Sequence, residues 1–397
     1  MRNDRRDHAG LAFNREASAG RSPVLWTVAH SGSFDSPRAS VAPLITDGDF
    51  AAIASDLDVW DAWPIQHPDG NPVDVGGGAV LWMALGAPHF SDPDLRHGHA
   101  RIHLLQHYRG TWTNLGPTMP DGFSPGSREW SGSAVLEAQT GELTLYFTAT
   151  GRRGEALLTF EQRLFRARAT LSLAGQAQLE NWRDLAEIAV RDPAHYMASD
   201  YGTGTIGTIK AYRDPAFFRD PQDGSRHLLF AASAAHSRSD YNGVVGLATA
   251  TDEALDSWQV LPPIVSADGL NNELERPHAI YHAGLYYLFW STQRHVFNPA
   301  GPTGPTGLYG MVADRLRGDW RPLNGTGLVF RNPDEAPAQA YSWLVMPDLA
   351  VTSFVDDWGS AVSKSGRNFG ATFAPMLSLV LDGDTVRLVD AGTKNTA

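Results

Sequence analysis

Three acidic positions keep company that is unusual for surface carboxylates. Asp61 sits between Trp60 and Trp63 in VWDAWPIQ (59–66). Aromatic neighbours withdraw water from a carboxylate, so it must find hydrogen-bond partners. The tripeptide Arg-Asp-Pro occurs twice, six residues apart, in AYRDPAFFRDPQDG (211–224), and offers Asp214 and Asp220. Glu273, Glu275 and Arg276 crowd together in NNELERPH (271–278). In extended chain Glu273 and Glu275 face the same side. A like-charged neighbour and partial burial raise one pKa, while Arg276 holds the other group ionised. One site can then carry both a proton donor and a carboxylate. The chain also has 12 Trp, whose indole faces stack on the C–H faces of sugars, although any single Trp is more often core. Paired carboxylates in different environments, Trp and a β-rich pattern together point to glycosidic chemistry.

The elements that must position these acids read as strands. Strand-like runs recur at GAVLWMAL (78–85), ARIHLLQHY (100–108), ELTLYFTAT (142–150), HLLFAAS (227–233), GVVGLATAT (243–251), GLYYLFWST (284–292), LYGMVAD (308–314) and TVRLVDA (385–391). Several follow a tight glycine turn, as in QTGELTLYF and HAGLYYLF, and read as antiparallel hairpins. Helical periodicity is scarce, and its best candidate is ENWRDLAEIAV (180–190). Gly (39) and Pro (25) are abundant, as in loop-rich β proteins. The expected architecture is all-β: a sandwich, a large barrel or a propeller, for which about five blades fit the length. Residues 1–20, polar and without periodicity, are expected to be a disordered tail ahead of a single domain at 21–397.

Composition excludes several classes. The 397 residues carry a net charge of −12 and no basic run, which argues against nucleic acid. With no cysteine there are no disulfides, thiolate metal sites or Cys nucleophiles. No stretch approaches a membrane span. The N-terminus lacks the apolar core of a conventional signal. That leaves a cytoplasmic protein, or an extracellular or periplasmic one exported by an unconventional route. GTGTIG (202–207) matches a dinucleotide fingerprint but has no helix after it. HGHARIHLLQH places histidines at 97, 99, 103 and 107. In a strand, residues four apart lie roughly 13 Å from each other, so these read as ordinary strand and rim histidines rather than as metal ligands. There is no G-x-S-x-G elbow and no H-E-x-x-H.

The ordered set VWDAWPIQ, REWSGSAV (128–135), the Arg-Asp-Pro element, ELERPH, GLYYLF, PTGLYG (305–310), PLNGTGLVF (322–330) and AYSWLVM (340–346) resembles the levansucrases and related sucrose-splitting fructosyltransferases, glycoside hydrolase family 68. The resemblance covers about residues 22–390, and the short loops look like the Gram-negative members. It implies a five-bladed β-propeller with a funnel-shaped central pocket. It also implies Asp61 as nucleophile, Asp214 as transition-state stabiliser and Glu275 as general acid/base. Asp220, beside a Pro-x-Asp-Gly turn, is left as a turn residue. Trp60, Trp130, Ser131, Arg213, Glu273, Arg276 and Tyr341 match pocket positions. A pocket basic residue falls on Arg294 or His295. Trp343 stands where many relatives have His, which bears on acceptor preference.

The implied reaction is retaining transfer of fructose from sucrose to fructan, sucrose or water, through a covalent fructosyl-enzyme. No cofactor is expected and no metal site is claimed. The alternatives are a mainly hydrolytic β-fructofuranosidase, an inverting arabinan- or xylan-directed hydrolase, and a non-catalytic sugar-binding propeller.

Overall fold

In the computed structural model, residues 22–31, 40–199, 209–359 and 367–389 are described. The expected tail at 1–20 and the GTGTIG run lie outside them.

Short apolar runs are the local cause of the fold: strands such as Val80–Pro88, Arg226–Ser233 and Leu285–Thr292 are buried along nearly their whole length, so each hairpin must be covered on both faces. Backbone pairing among the described residues builds four sheets. The eight-stranded one is two four-stranded antiparallel meanders, joined only where Ile65 and Gln66 run parallel to Ala134 and Val135. The chain is thus five successive meanders. Their first strands are Leu57–Gln66, Arg128–Glu137, Tyr212–Arg219, Glu275–His282 and Ala340–Val345. These five inner strands pack against one another in a closed ring, the fifth returning to the first. Tight turns follow, such as that at Gly284, whose φ of +87° suits a residue without Cβ.

Apolar residues fill the spaces between meanders. Tyr146 stacks on Phe217 at 5.7 Å between the second and third. Trp26, ahead of the first meander, is fully buried against Trp290 at 5.3 Å and donates its indole N–H to the Thr326 carbonyl at 2.9 Å. It anchors a leading segment whose Val24–Leu25 and Ser40–Val41 pair parallel to the outer strands of the third and fourth meanders.

The eight strand-like runs are all strands. The helix expected at 180–190 is not formed: Gln178–Glu187 is a strand. Register breaks between Glu180 and Arg183 and between Arg183 and Ala186 each insert a residue, with positive φ at Asn181 and Asp184. Leu179, Trp182 and Leu185 therefore all reach the core, three apart. Two bulges in a strand imitate the spacing of a helix face. His97 also departs from expectation. It lies in a 3-10 helix, Pro93–Gly98, started by Asp92, which accepts the Asp94 N–H at 3.0 Å. His103 and His107 are in the following strand, Arg101–Tyr108.

Candidate active site

Every inner strand breaks register at the same level. The breaks fall between Trp60 and Trp63, Trp130 and Gly132, Arg213 and Ala216, Glu275 and His278, and Tyr341 and Leu344. Four carry a left-handed residue: Asp61 (φ +51°), Asp214 (+61°), Arg276 (+48°) and Ser342 (+62°). In the second strand the backbone approaches so closely that a Cβ on Gly132 would lie 1.9 Å from the Tyr146 carbonyl oxygen. A bulge re-aims side chains and leaves backbone groups outside the ladder. Proline follows Asp214 and Arg276 directly, where a bulge removes the need for its missing N–H.

The bulges divide the channel into two cavities of about 620 Å³ each. Residues before and within the breaks, including Asp61, Ser131, Asp214, Glu275 and Tyr341, line one cavity. Residues after them, including Trp63, Phe217, Ile280 and Val345, line the other, together with Asp220. The floor between is Arg276. Its Nη2 donates to the Ala62 carbonyl at 2.7 Å and its Nη1 to the Ser342 carbonyl and hydroxyl at 3.1 Å each. Its guanidinium thus ties three inner strands together and, unlike that of Arg213, is not among the residues lining the acidic cavity.

The two Arg-Asp-Pro copies part company here. Asp214 is buried in the acidic cavity. Its backbone N–H donates to Thr148 Oγ1 at 2.9 Å and its Oδ2 accepts the Arg276 N–H at 3.4 Å. Asp220 closes a turn: its Oδ1 accepts the Gln222 N–H at 2.8 Å and the Tyr286 hydroxyl at 2.5 Å.

Asp61 Oδ2 accepts the Ser131 hydroxyl at 2.8 Å. Glu275 Oε1 accepts Arg213 Nε at 3.3 Å and Nη2 at 3.1 Å, and its Oε2 accepts the Tyr341 hydroxyl at 2.7 Å. Burial pushes the Tyr341 phenol well above its ordinary range, so it stays a donor. Glu273 is 3.9 Å from Arg213 Nη2. Burial raises the Asp214 carboxyl to about 8 against the pull of Arg213, with the charges of Glu275 and Asp61 adding to the rise. Burial and the Glu275 charge raise Glu273 to about 7. Arg213 thus lies within 4 Å of three carboxylates, Asp214, Glu273 and Glu275, and Asp214 and Glu273 hold their protons far above the usual carboxylate range.

Trp60 and Trp130 both line this cavity. The Trp60 ring is capped by the buried Arg96 guanidinium at 5.2 Å and meets the His97 ring edge-on at 5.8 Å. Of the two basic candidates, His295 lines the cavity and Arg294, on the same short 3-10 helix, is exposed outside it. Trp343 is core: it packs edge-on against Phe330 at 5.5 Å and does not touch the cavity.

Sequence reasoning did not find Gln162, whose Oε1 accepts the Tyr212 N–H at 3.0 Å and Arg213 Nη1 at 3.4 Å. It also missed the rim, where Arg367 joins Asp356 (Nε to Oδ1, 3.0 Å) and Asp94. A start signal for the Pro93–Gly98 helix was present in SDPDL, with Pro at the first position after a capping Asp. Gln162 has no such signal.

An all-β ring of meanders with paired carboxylates and indoles at one mouth is the equipment of a glycoside-processing enzyme. A family model described as levansucrase/invertase matches residues 16–244 and 239–393, and the chain belongs to that family. It is 32% identical to a levansucrase of Pseudomonas savastanoi pv. glycinea, over 91% of this chain and 93% of that one. It is 31% identical to a levansucrase of Rahnella aquatilis, again over 91% and 93%. Among solved structures it is similar to an inulosucrase from Halalkalicoccus jeotgali bound to kestose, with TM-score 0.84 and 33% identity over 92% and 95% of the two chains. A levansucrase from Gluconacetobacter diazotrophicus has the same fold at TM-score 0.78 and 24% identity, over 95% and 91%.

Proposed function

We propose that this protein is a retaining fructosyltransferase that splits sucrose, built as one catalytic domain with a five-bladed β-propeller fold. The observation that carries the reading is the contrast between two carboxylates in one cavity: Asp61, held by a single serine hydroxyl, and Glu275, held by a tyrosine and an arginine. The named activities of its relatives support the substrate class, and five meanders with ringed inner strands support five blades.

Sucrose enters with the fructosyl unit deepest, against Trp60 and Asp61. Glu275 protonates the bridging oxygen as glucose leaves. Asp61 Oδ1, free of the Ser131 bond, attacks the anomeric carbon and forms a fructosyl ester. Asp214 holds fructosyl hydroxyls as charge develops on the ring. Glu275, now a carboxylate beside Tyr341 and Arg213, takes the proton of the incoming acceptor hydroxyl. Glu273, Arg213 and His295 surround the leaving glucose and the acceptor that replaces it.

The test is incubation of the purified protein with sucrose, with glucose and free fructose measured separately. Glucose in excess over fructose is expected, with the missing fructose in oligosaccharide or fructan. Equal amounts would make it an invertase, and neither sugar would overturn the reading.

A further inference from the structure

Lys210 is a buried ammonium that the reaction above does not use. It lies just before the third inner strand and is 4% exposed. A cation at that depth must be matched by oxygens. Its Nζ donates to the Asp240 carbonyl at 2.8 Å, Asn242 Oδ1 at 3.0 Å and Asn272 Oδ1 at 3.2 Å. Asn242 and Asn272 are fully buried, so these bonds are shielded from competing water.

Two paths run from Lys210 to the acidic cavity. From the ammonium, Asn272 Nδ2 continues to Glu273 Oε1 at 3.4 Å. From the backbone, the Lys210 carbonyl accepts Gln162 Nε2 at 2.9 Å, and Gln162 Oε1 in turn accepts Arg213 Nη1 at 3.4 Å. The two paths end on the residues that flank Glu275: Arg213, which donates to it, and Glu273, two positions before it on the same side of the chain. Asn271 holds the same segment from its other side: its Oδ1 accepts the Glu273 N–H at 2.8 Å and its Nδ2 donates to Thr292 Oγ1 at 2.8 Å.

We propose that Lys210 is a positioning residue for the reaction: acting through Asn272 and Gln162, it fixes Glu273 and Arg213 and thereby aims the Glu275 carboxyl at the bond to be broken. The proposal rests on the sucrose-splitting reading. The groups facing Glu273 are Glu275, Arg213, Tyr341 and Lys210. Of these Glu275 raises its pKa, while Arg213, the Asn272 amide and Lys210 lower it. Loss of the ammonium therefore leaves the cluster protonated to higher pH.

The experiment compares wild type, Lys210→Met, Lys210→Arg and Asn272→Ala on sucrose across pH, with melting temperatures recorded for each. Wild type must release glucose; if it does not, the sucrose reading fails and this proposal with it. Given an active wild type, Lys210→Met is expected to lose about tenfold in kcat with KM little changed. Its alkaline limb of kcat/KM moves to higher pH, and Lys210→Arg restores both. Asn272→Ala cuts the relay while leaving the ammonium two of its oxygens, so it repeats the loss in kcat and decides the matter if Lys210→Met is insoluble. A lowered melting temperature with wild-type kcat and an unmoved alkaline limb would show Lys210 to be merely structural and overturn the proposal.

Discussion

Arg213 Nη2 donates to Glu275 Oε1 at 3.1 Å from the residue adjacent to Asp214. One strand thus supplies both a buried acid and the cation that holds the acid of the next strand. The left-handed turn at Asp214 makes this possible, because it lets neighbouring residues of one strand both face the cavity.

The two Arg-Asp-Pro copies should separate cleanly on mutation. Asp214→Asn abolishes turnover of sucrose, whereas Asp220→Asn keeps most activity: its Oδ1 still accepts from Gln222 and Tyr286, and only the charge assistance is lost, about 1 kcal/mol of stability. Steady-state kinetics and urea unfolding of the two variants check this. An inactive Asp220→Asn with an active Asp214→Asn would reverse the assignment.

Asp214→Asn should also gain stability while losing activity. The folded pKa of Asp214 is raised above its unfolded value, to about 8. Its favourable contribution is therefore complete below the unfolded value near 3.8 and is lost as pH rises toward 8. The neutral amide escapes that loss. The difference in unfolding free energy between variant and wild type, from urea unfolding, is expected to grow from pH 4 to pH 8, reaching the order of 1–3 kcal/mol. A difference that shrinks over that range would contradict the burial argument.

The Ser131 hydroxyl is the hydrogen-bond partner found for Asp61. Ser131→Ala removes it without touching the rest of the cavity, and should lower kcat by about tenfold to a hundredfold. Melting temperature should change little, so the two readouts distinguish orientation of the nucleophile from a folding defect.

Arg276 is buried at a φ of +48°, and its guanidinium joins three inner strands. Arg276→Met leaves the Ala62 and Ser342 carbonyls without that partner, at a cost on the order of 3 kcal/mol. The urea midpoint should fall accordingly. An unchanged midpoint would mean the floor of the cavity is held by something else.

The pH profile follows from the crowded acids. Asp214 and Glu273 retain protons to about 8 and about 7. As pH rises through that window the cluster gains negative charge around Asp61 and Glu275. The alkaline limb of kcat/KM should fall there, with apparent values that belong to the cluster rather than to one residue.

The strands were legible because they are short apolar, β-branched and aromatic runs separated by glycine turns, buried along nearly their whole length. The acids proposed for catalysis were legible because Asp61, Asp214 and Glu275 sit in short motifs with prolines, and those prolines also mark the bulges that aim them. What was hidden depends on those bulges. Two of them turned Gln178–Glu187 into a false helix by spacing Leu179, Trp182 and Leu185 three apart. Another set the Arg276 guanidinium among the carbonyls of neighbouring inner strands. Gln162 and Lys210 act across distant segments, and one chain read in order carries no sign of such pairings. Trp343, read as a determinant of acceptor preference, is a core residue whose indole packs on Phe330.

The most direct measurement is to capture the fructosyl ester. In Glu275→Gln, a donor whose leaving group needs no protonation, such as fructosyl fluoride, still loads the nucleophile, while the missing base slows its release. Rapid acid quench, proteolysis and mass spectrometry should then find one fructosyl unit on the peptide carrying Asp61, and none in the Asp61→Asn, Glu275→Gln double variant. Donor consumption with no labelled peptide, or the label on another residue, would contradict the mechanism.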